Sequence, residues 1–166
     1  VRLGAIFVEK NGDAYRELEQ VVAPYRETID IRTHHGAFGD HVDAIDAVVG
    51  SDPAFLFVDP TGWDGVAMEF IAPLARRRRR DVVVNVMYNH INRFKDDTRP
   101  WLRRQLAAFF GTALSAGLSE DELIGLYREN LKSRAELRRV ADLRILHPVF
   151  DRTWFRLVVG GHHDAA

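Results

Sequence analysis

The residues best suited to chemistry are Asp59, Pro60, Thr61, Gly62 and Trp63, which directly follow the apolar run Ala54 to Val58. Parallel strands are covered on both faces and read as unbroken hydrophobic runs, and in open α/β sheets ligands bind just beyond their carboxyl ends. On that rule Asp59 stands at the lip of a buried strand, with rigid Pro60 beside it and Trp63 as an exposed aromatic platform. A carboxylate and an aromatic face together suit a planar polar group, and a nucleobase amine is one candidate. Trp63 as core filler is the plainer alternative.

Other candidates lie elsewhere along the chain. Glu9 ends an apolar strand, where nucleotide-binding α/β proteins place a carboxylate that accepts from ribose hydroxyls. It also reads as a solvated acid beside Lys10. Asp40 is placed either to meet an adenine amine or to N-cap the helix that follows it. Asn85, flanked by Val84 and Val86, is an amide that needs partners if buried, whether structural or in a site. The pairs His34-His35 and His162-His163 invite a metal, but no His-x-x-x-His or Glu-x-x-His spacing accompanies them, so none is expected.

Two basic groups need separating. The run Arg76 to Arg80 closes a helix, where cations are favoured, and precedes a strand rather than following one. A six-residue strand spans about 20 Å, which sets that run at the edge opposite Asp59. Arg93, Lys95, Arg99, Arg103 and Arg104 follow the same strand and fall near the Asp59 edge. They are the expected phosphate contacts for a polynucleotide.

Positioning these groups takes alternating strands and helices. Leu3 to Glu9 reads as a strand, and Asn11 to Tyr25 as a helix with Tyr15, Leu18, Val22 and Tyr25 on one stripe and Asn11 as N-cap. Glu27 to Thr33 reads as a second strand, followed by the loop His34 to Gly39, a helix from Asp40 to Val49 and a turn at Ser51 to Pro53. The strand Ala54 to Asp59, a helix over Val66 to Arg77 and the strand Asp81 to Met87 continue the alternation, which argues for an α/β sheet with right-handed crossovers. Trp101, Leu102, Leu106, Phe109 and Phe110 then form a helical stripe, and Ser119 with Glu122 forms a capping box opening a helix to Arg134. Residues 88–134 are expected to be a helical insertion, as a lid or substrate module or as ordinary crossover helices. Asp142 to Phe150 and Thr153 to Val159 are strands joined by Asp151-Arg152, a link short enough to demand an antiparallel hairpin.

The 166 residues, 46% hydrophobic, make one domain with a core. No run of about 18 apolar residues appears, so no membrane span is expected. Val1 to Glu9 reads as a strand rather than a signal peptide, and the absence of cysteine excludes disulfides, thiolate catalysis and Cys-based zinc sites, so a cytoplasmic location is expected. Residues 1–75 carry five Lys/Arg against thirteen Asp/Glu, a net of −8, and residues 76–166 carry eighteen against eleven, a net of +7. That asymmetry fits either an anionic partner for the second half or attraction between the halves.

A mostly parallel sheet closing in an antiparallel hairpin is how class I S-adenosylmethionine-dependent methyltransferases end. The chain resembles the three-Cys-motif partner proteins of bacteria and phages, which have a Rossmann-like methyltransferase-type fold. The resemblance rests on Ile6 to Glu9, Phe57 to Val66, Arg80 to Asn85 and Leu157 to His163, with the family's terminal histidine at His163. It implies S-adenosylmethionine as cofactor, with Glu9 on the ribose and Asp40 toward the adenine. It also implies that Asp59, Pro60 and Trp63 form a relative of the Asp-Pro-Pro-aromatic motif, which orients an acceptor amine and stacks a flipped base. Here Thr61 replaces the second proline and Gly62 displaces the aromatic by one position. The functional expectation is methyl transfer to an amino group of a nucleic acid base; the alternative is a non-catalytic partner subunit binding nucleic acid or protein.

The family opens with a strand and a glycine-rich loop that nothing before Glu9 matches. The expectation is therefore an incomplete amino terminus, with the absent strand lying between the Leu3 to Glu9 and Ala54 to Asp59 strands. Its loss would leave two sheet edges that are hard to stabilise.

Overall fold

The computed structural model describes residues 3–163, an α/β chain with six α-helices and two sheets among the described residues. It divides into two compact units, Val1–Gly50 and Ser51–Ala166. No helix among the described residues is long and apolar enough to cross a membrane.

In the first unit, β1 (Gly4–Glu9) and β2 (Asp30–His35) pair in parallel, with Glu9 opposite His35, and α1 (Gly12–Val22) connects them through a short 3-10 turn. Asn11 caps α1 as expected, its side chain accepting from the N–H groups of Asp13 and Ala14 at 2.9 and 3.0 Å. The second strand starts later than the sequence suggests, because the N–H groups of Thr28 and Ile29 are still held by the Tyr25 carbonyl. His34 and His35 consequently lie in β2 rather than in a loop. The next helix, α2 (Phe38–Val49), begins two residues early and is preceded by Ala37, so Asp40 sits inside the first turn and is not the N-cap. Val22 and Val42 are the buried apolar residues described in this unit.

The second unit contains β3 (Ala54–Val58), α3 (Met68–Arg76), β4 (Arg80–Val86), α4 (Tyr88–Ile91), α5 (Pro100–Phe110), α6 (Glu120–Arg134), β5 (Arg139–Leu146) and β6 (Thr153–Gly161). Its sheet runs β3-β4-β6-β5; β3 and β4 are parallel, and β6 is antiparallel to both β4 and β5. Burial alternates along the central strands: Val82, Val84, Val86 and Val158 are fully buried, while Val83, Leu157 and Val159 on the other face are not. The covered face packs against α3 and α6, which bury Met68, Ile71, Leu74, Tyr127 and Leu131, and α5 packs on those two helices with Leu106 and Phe109 buried. Residues 88–134 thus supply much of this core.

Three expectations change. β3 is an edge strand with one open face, Phe55 and Phe57 being 67% and 59% exposed, rather than a strand covered on both sides. Trp101 leaves the buried stripe of α5 and is 49% exposed. The hairpin link is longer than Asp151-Arg152: β5 ends at Leu146 and the turn closes when the His147 N–H donates to the Arg152 carbonyl at 2.9 Å.

The Ser119 capping box forms as expected, with Glu122 accepting from the Ser119 N–H at 2.8 Å. Hydrogen bonds from the Ser119 side chain and backbone hold the Glu122 carboxyl below its ordinary range. One core group is poorly served. The Tyr127 hydroxyl is fully buried with no hydrogen-bond partner among the described residues, and burial drives its pKa upward. An unpaired buried hydroxyl costs about 1–3 kcal/mol in proteins. Tyr127→Phe should therefore raise the unfolding free energy by about 1 kcal/mol in a urea titration. A drop in stability would show that the hydroxyl is satisfied after all.

Candidate functional site

The parallel register sets Val58 beside Val84, so Asp59, just past the end of β3, stands next to Asn85, the last residue but one of β4. Asn85 Nδ2 donates to Asp59 Oδ1 at 2.6 Å. A carboxylate can only accept, which fixes the amide orientation and turns Asn85 Oδ1 away from it. That oxygen is buried and accepts nothing among the described residues. Asp59 itself is exposed. The carboxyl ends of β3 and β4 therefore hold two acceptors, Asp59 Oδ2 and Asn85 Oδ1, backed by a charged hydrogen bond.

After Asp59 the chain folds back. Pro60 is half-buried, and Trp63, only 7% exposed, packs against the tilted His90 ring at 4.8 Å between centroids and meets Phe94 edge-on at 5.6 Å. A Cβ on Gly62 would stand 3.6 Å from the His90 ring, an ordinary van der Waals contact. Gln105 donates to Asp64 at 3.2 Å and ties the loop to α5. Trp63 is thus not the exposed platform its sequence context suggests. Its ring faces are occupied, and it anchors the loop that carries Asp59.

The basic residues separate into committed and uncommitted ones. Lys95 pairs with Asp96 at 2.7 Å, and Arg99 grips Asp97 while lying over the Trp101 ring. Hydrogen bonds from Arg99 hold the Asp97 carboxyl low. Arg103 donates to the carbonyls of Lys95 and Leu114. Arg93 and Arg104 are exposed and have no side-chain partner among the described residues. In the other basic group, Arg76 donates to the Arg134 carbonyl at 2.6 Å and buried Arg80 to the Leu74 carbonyl at 2.8 Å, so these two close helix ends.

In the first unit, Glu9 ends β1 half-buried, and its Oε1 accepts from the Asn11 N–H at 2.6 Å, leaving Oε2 without a partner among the described residues. Asp40 is exposed on α2. His34 stacks on His41 and His35 on Tyr15, so the adjacent pair points to opposite faces of β2. His162 Nε2 lies 3.0 Å from the Ala75 carbonyl, while His163 is exposed. Among the described residues no three His, Asp or Glu side chains gather as metal ligands would.

A feature that sequence reasoning missed lies on the same sheet edge. A cavity of about 350 Å³ is lined by Tyr88, Asn89 and Asn92 after β4, Glu120 at the start of α6, and Arg144, Leu146, Asp151, Arg152 and Thr153 around the hairpin. The Tyr88 hydroxyl donates to Asn92 Oδ1 at 3.2 Å, and burial followed by the charge of Glu120 raises its pKa.

No protein-family model matches the chain, and no curated protein matches it.

Proposed function

We propose that the chain is a methyltransferase-like protein whose Asp59–Asn85 pair orients an amino group, with a nucleic acid base as the acceptor. One observation carries the reading: Asn85 Nδ2 is spent on Asp59 Oδ1 at 2.6 Å, while Asn85 Oδ1 stays buried without a donor. Exposed Asp59 Oδ2 is open to an N–H of an exocyclic amine, and Asn85 fixes that carboxylate in place. Support also comes from the strand order β3-β4-β6-β5 with its antiparallel close, and from the resemblance to three-Cys-motif partner proteins.

The resemblance implies S-adenosylmethionine, and the first unit by itself offers two carboxylates for it. Glu9 retains one carboxylate oxygen for ribose hydroxyls, and Asp40 keeps an exposed carboxylate. Such a group supplies an electrophilic methyl, and the chain's part is to bind and align. Holding the nucleophile in line carries most of such a reaction, and a misplacement of about 1 Å can cost about 100-fold. Arg93 and Arg104 are the two members of their group left to meet phosphates. Asp59→Ala should therefore lower methyl transfer to an amine-bearing oligonucleotide about 100-fold, with an unchanged circular dichroism spectrum. Calorimetry that detects no heat with millimolar S-adenosylmethionine would overturn the reading.

A specific finding favours a second reading, a non-catalytic binding subunit: Trp63 is packed on His90 and Phe94 and presents no stacking face beside Asp59. In that case nucleic-acid affinity persists while Asp59→Ala changes nothing.

A further inference from the structure

We infer that the β5–β6 hairpin tip and the cavity beside it bind single-stranded nucleic acid, bases stacking on Phe150 and Trp154 and phosphates meeting Arg144 and Arg152. This deepens the reading of Asp59 and rests on it for the substrate class.

The tip is built rather than loose. His147 packs between Phe150 and Trp154 at centroid distances of 4.8 and 5.3 Å. Its Nδ1 accepts the N–H groups of Val149 and Phe150 at 3.1 and 3.2 Å, which locks the turn. Phe150 and Trp154 are nevertheless 57% and 42% exposed. Large aromatic surface held rigid in water is what base stacking uses, and it is sequence-tolerant because every base has a π-face.

Charge completes the argument. Arg152 lies 5.1 Å over the Phe150 ring, and the guanidinium of neither Arg144 nor Arg152 has a hydrogen bond or ion pair with any described residue. They contrast with Lys95, Arg99 and Arg103, which are spent on the protein itself. Two free guanidiniums suit phosphate, which they can grip bidentately. Between them the cavity offers the amides of Asn89 and Asn92 and the carboxylate of Glu120, acceptors and donors matched to a ribose or a base edge. Its volume of about 350 Å³ falls in the range of small-molecule sites, about 300–1,000 Å³. The start of β6 lies two strands from β3, roughly 10 Å at the usual spacing, on the edge where Asp59 stands. Exposed Leu146 and Val149 make an anionic lipid surface the competing occupant, but lipid tails have no use for the cavity's polar lining.

The test is fluorescence anisotropy of a labelled single-stranded oligonucleotide of about 12 nucleotides, titrated with the whole chain across a salt series without methyl donor. Phe150→Ala with Trp154→Ala should weaken binding about 10-fold or more. Arg144→Gln with Arg152→Gln should flatten the salt slope by roughly 1.4, two phosphates' worth. If the aromatic variant fails to fold, the arginine pair, whose guanidiniums make no hydrogen bond or ion pair with the described residues, decides the question. Wild-type affinity in the arginine variant, or a wild-type chain that ignores the oligonucleotide and sediments with phosphatidylserine vesicles, overturns the inference. Binding that collapses with these variants while methyl transfer is never seen sinks the Asp59 reading and leaves this one standing.

Discussion

Arg156→Ala should destabilise the protein by about 3–5 kcal/mol, as expected when one member of a buried ion cluster is removed. Arg156 points to the covered side of β6 with its side chain 9% exposed. Its Nε donates to Glu120 at 2.6 Å, one terminal nitrogen to Asp142 at 2.5 Å, and the other to Asp121. The guanidinium's fixed fork lets one residue serve three carboxylates. Asp142, 11% exposed, keeps only Arg128 once Arg156 is gone, and Glu120, 20% exposed, is left without its partner.

Burial by itself would lower the Arg156 pKa, and the hydrogen bonds from Glu120, Asp142 and Asp121 outweigh it, so the pKa is raised. A raised cation pKa contributes stability that is fully present below the unfolded value and is lost only as pH climbs through the folded one. The arginine term is therefore constant over the working range. Asp121→Ala is the informative companion. At 85% exposure its side of the cluster is worth about 0–1 kcal/mol, so this variant should unfold close to wild type in guanidinium. Equal losses for Asp121→Ala and Arg156→Ala would show that buried desolvation is not what makes the cluster costly to break.

The sequence carries the strand-helix alternation because periodicity and capping are local. Asn11 and Ser119 do their capping in the structure as their side chains and spacing suggest. The site is legible as far as register reaches: placing Ala54 to Val58 beside Arg80 to Val86 in parallel makes Asp59 and Asn85 neighbours. What was illegible depends on tertiary partners. An unbroken apolar run looks the same on an edge strand as on a central one, so the exposure of Phe55 and Phe57 left no trace in the pattern. The burial of Trp63 depends on His90 and Phe94, which the chain brings back through α4, and no local rule links them. Five basic residues after β4 look like one patch until Asp96, Asp97 and the Leu114 carbonyl claim three of them.

Phe109→Ala should cost about 3–5 kcal/mol, the range for emptying a buried phenylalanine site. Phe109 is fully buried and belongs to a three-ring cluster. It meets Phe110 edge-on at 5.3 Å and Tyr127 at 5.0 Å, and Phe110 meets Tyr127 edge-on at 5.7 Å. Beyond the transfer and cavity terms, each aromatic pair adds about 0.5–1.5 kcal/mol. The neighbours belong to α5 and α6, which pack on each other and in turn on α3 and the sheet, so the hole has little room to collapse. Trp101 sits on the same helix and reads as part of the same stripe, yet it is 49% exposed and its one described ring contact is the Arg99 guanidinium at 5.1 Å. An exposed cation–π contact is worth about 0.5–1 kcal/mol, so Trp101→Ala should cost no more than that. Thermal unfolding of the two variants separates burial from sequence pattern. Comparable losses would mean that the stripe, and not the packing of α5 against α6, decides which aromatic carries the core.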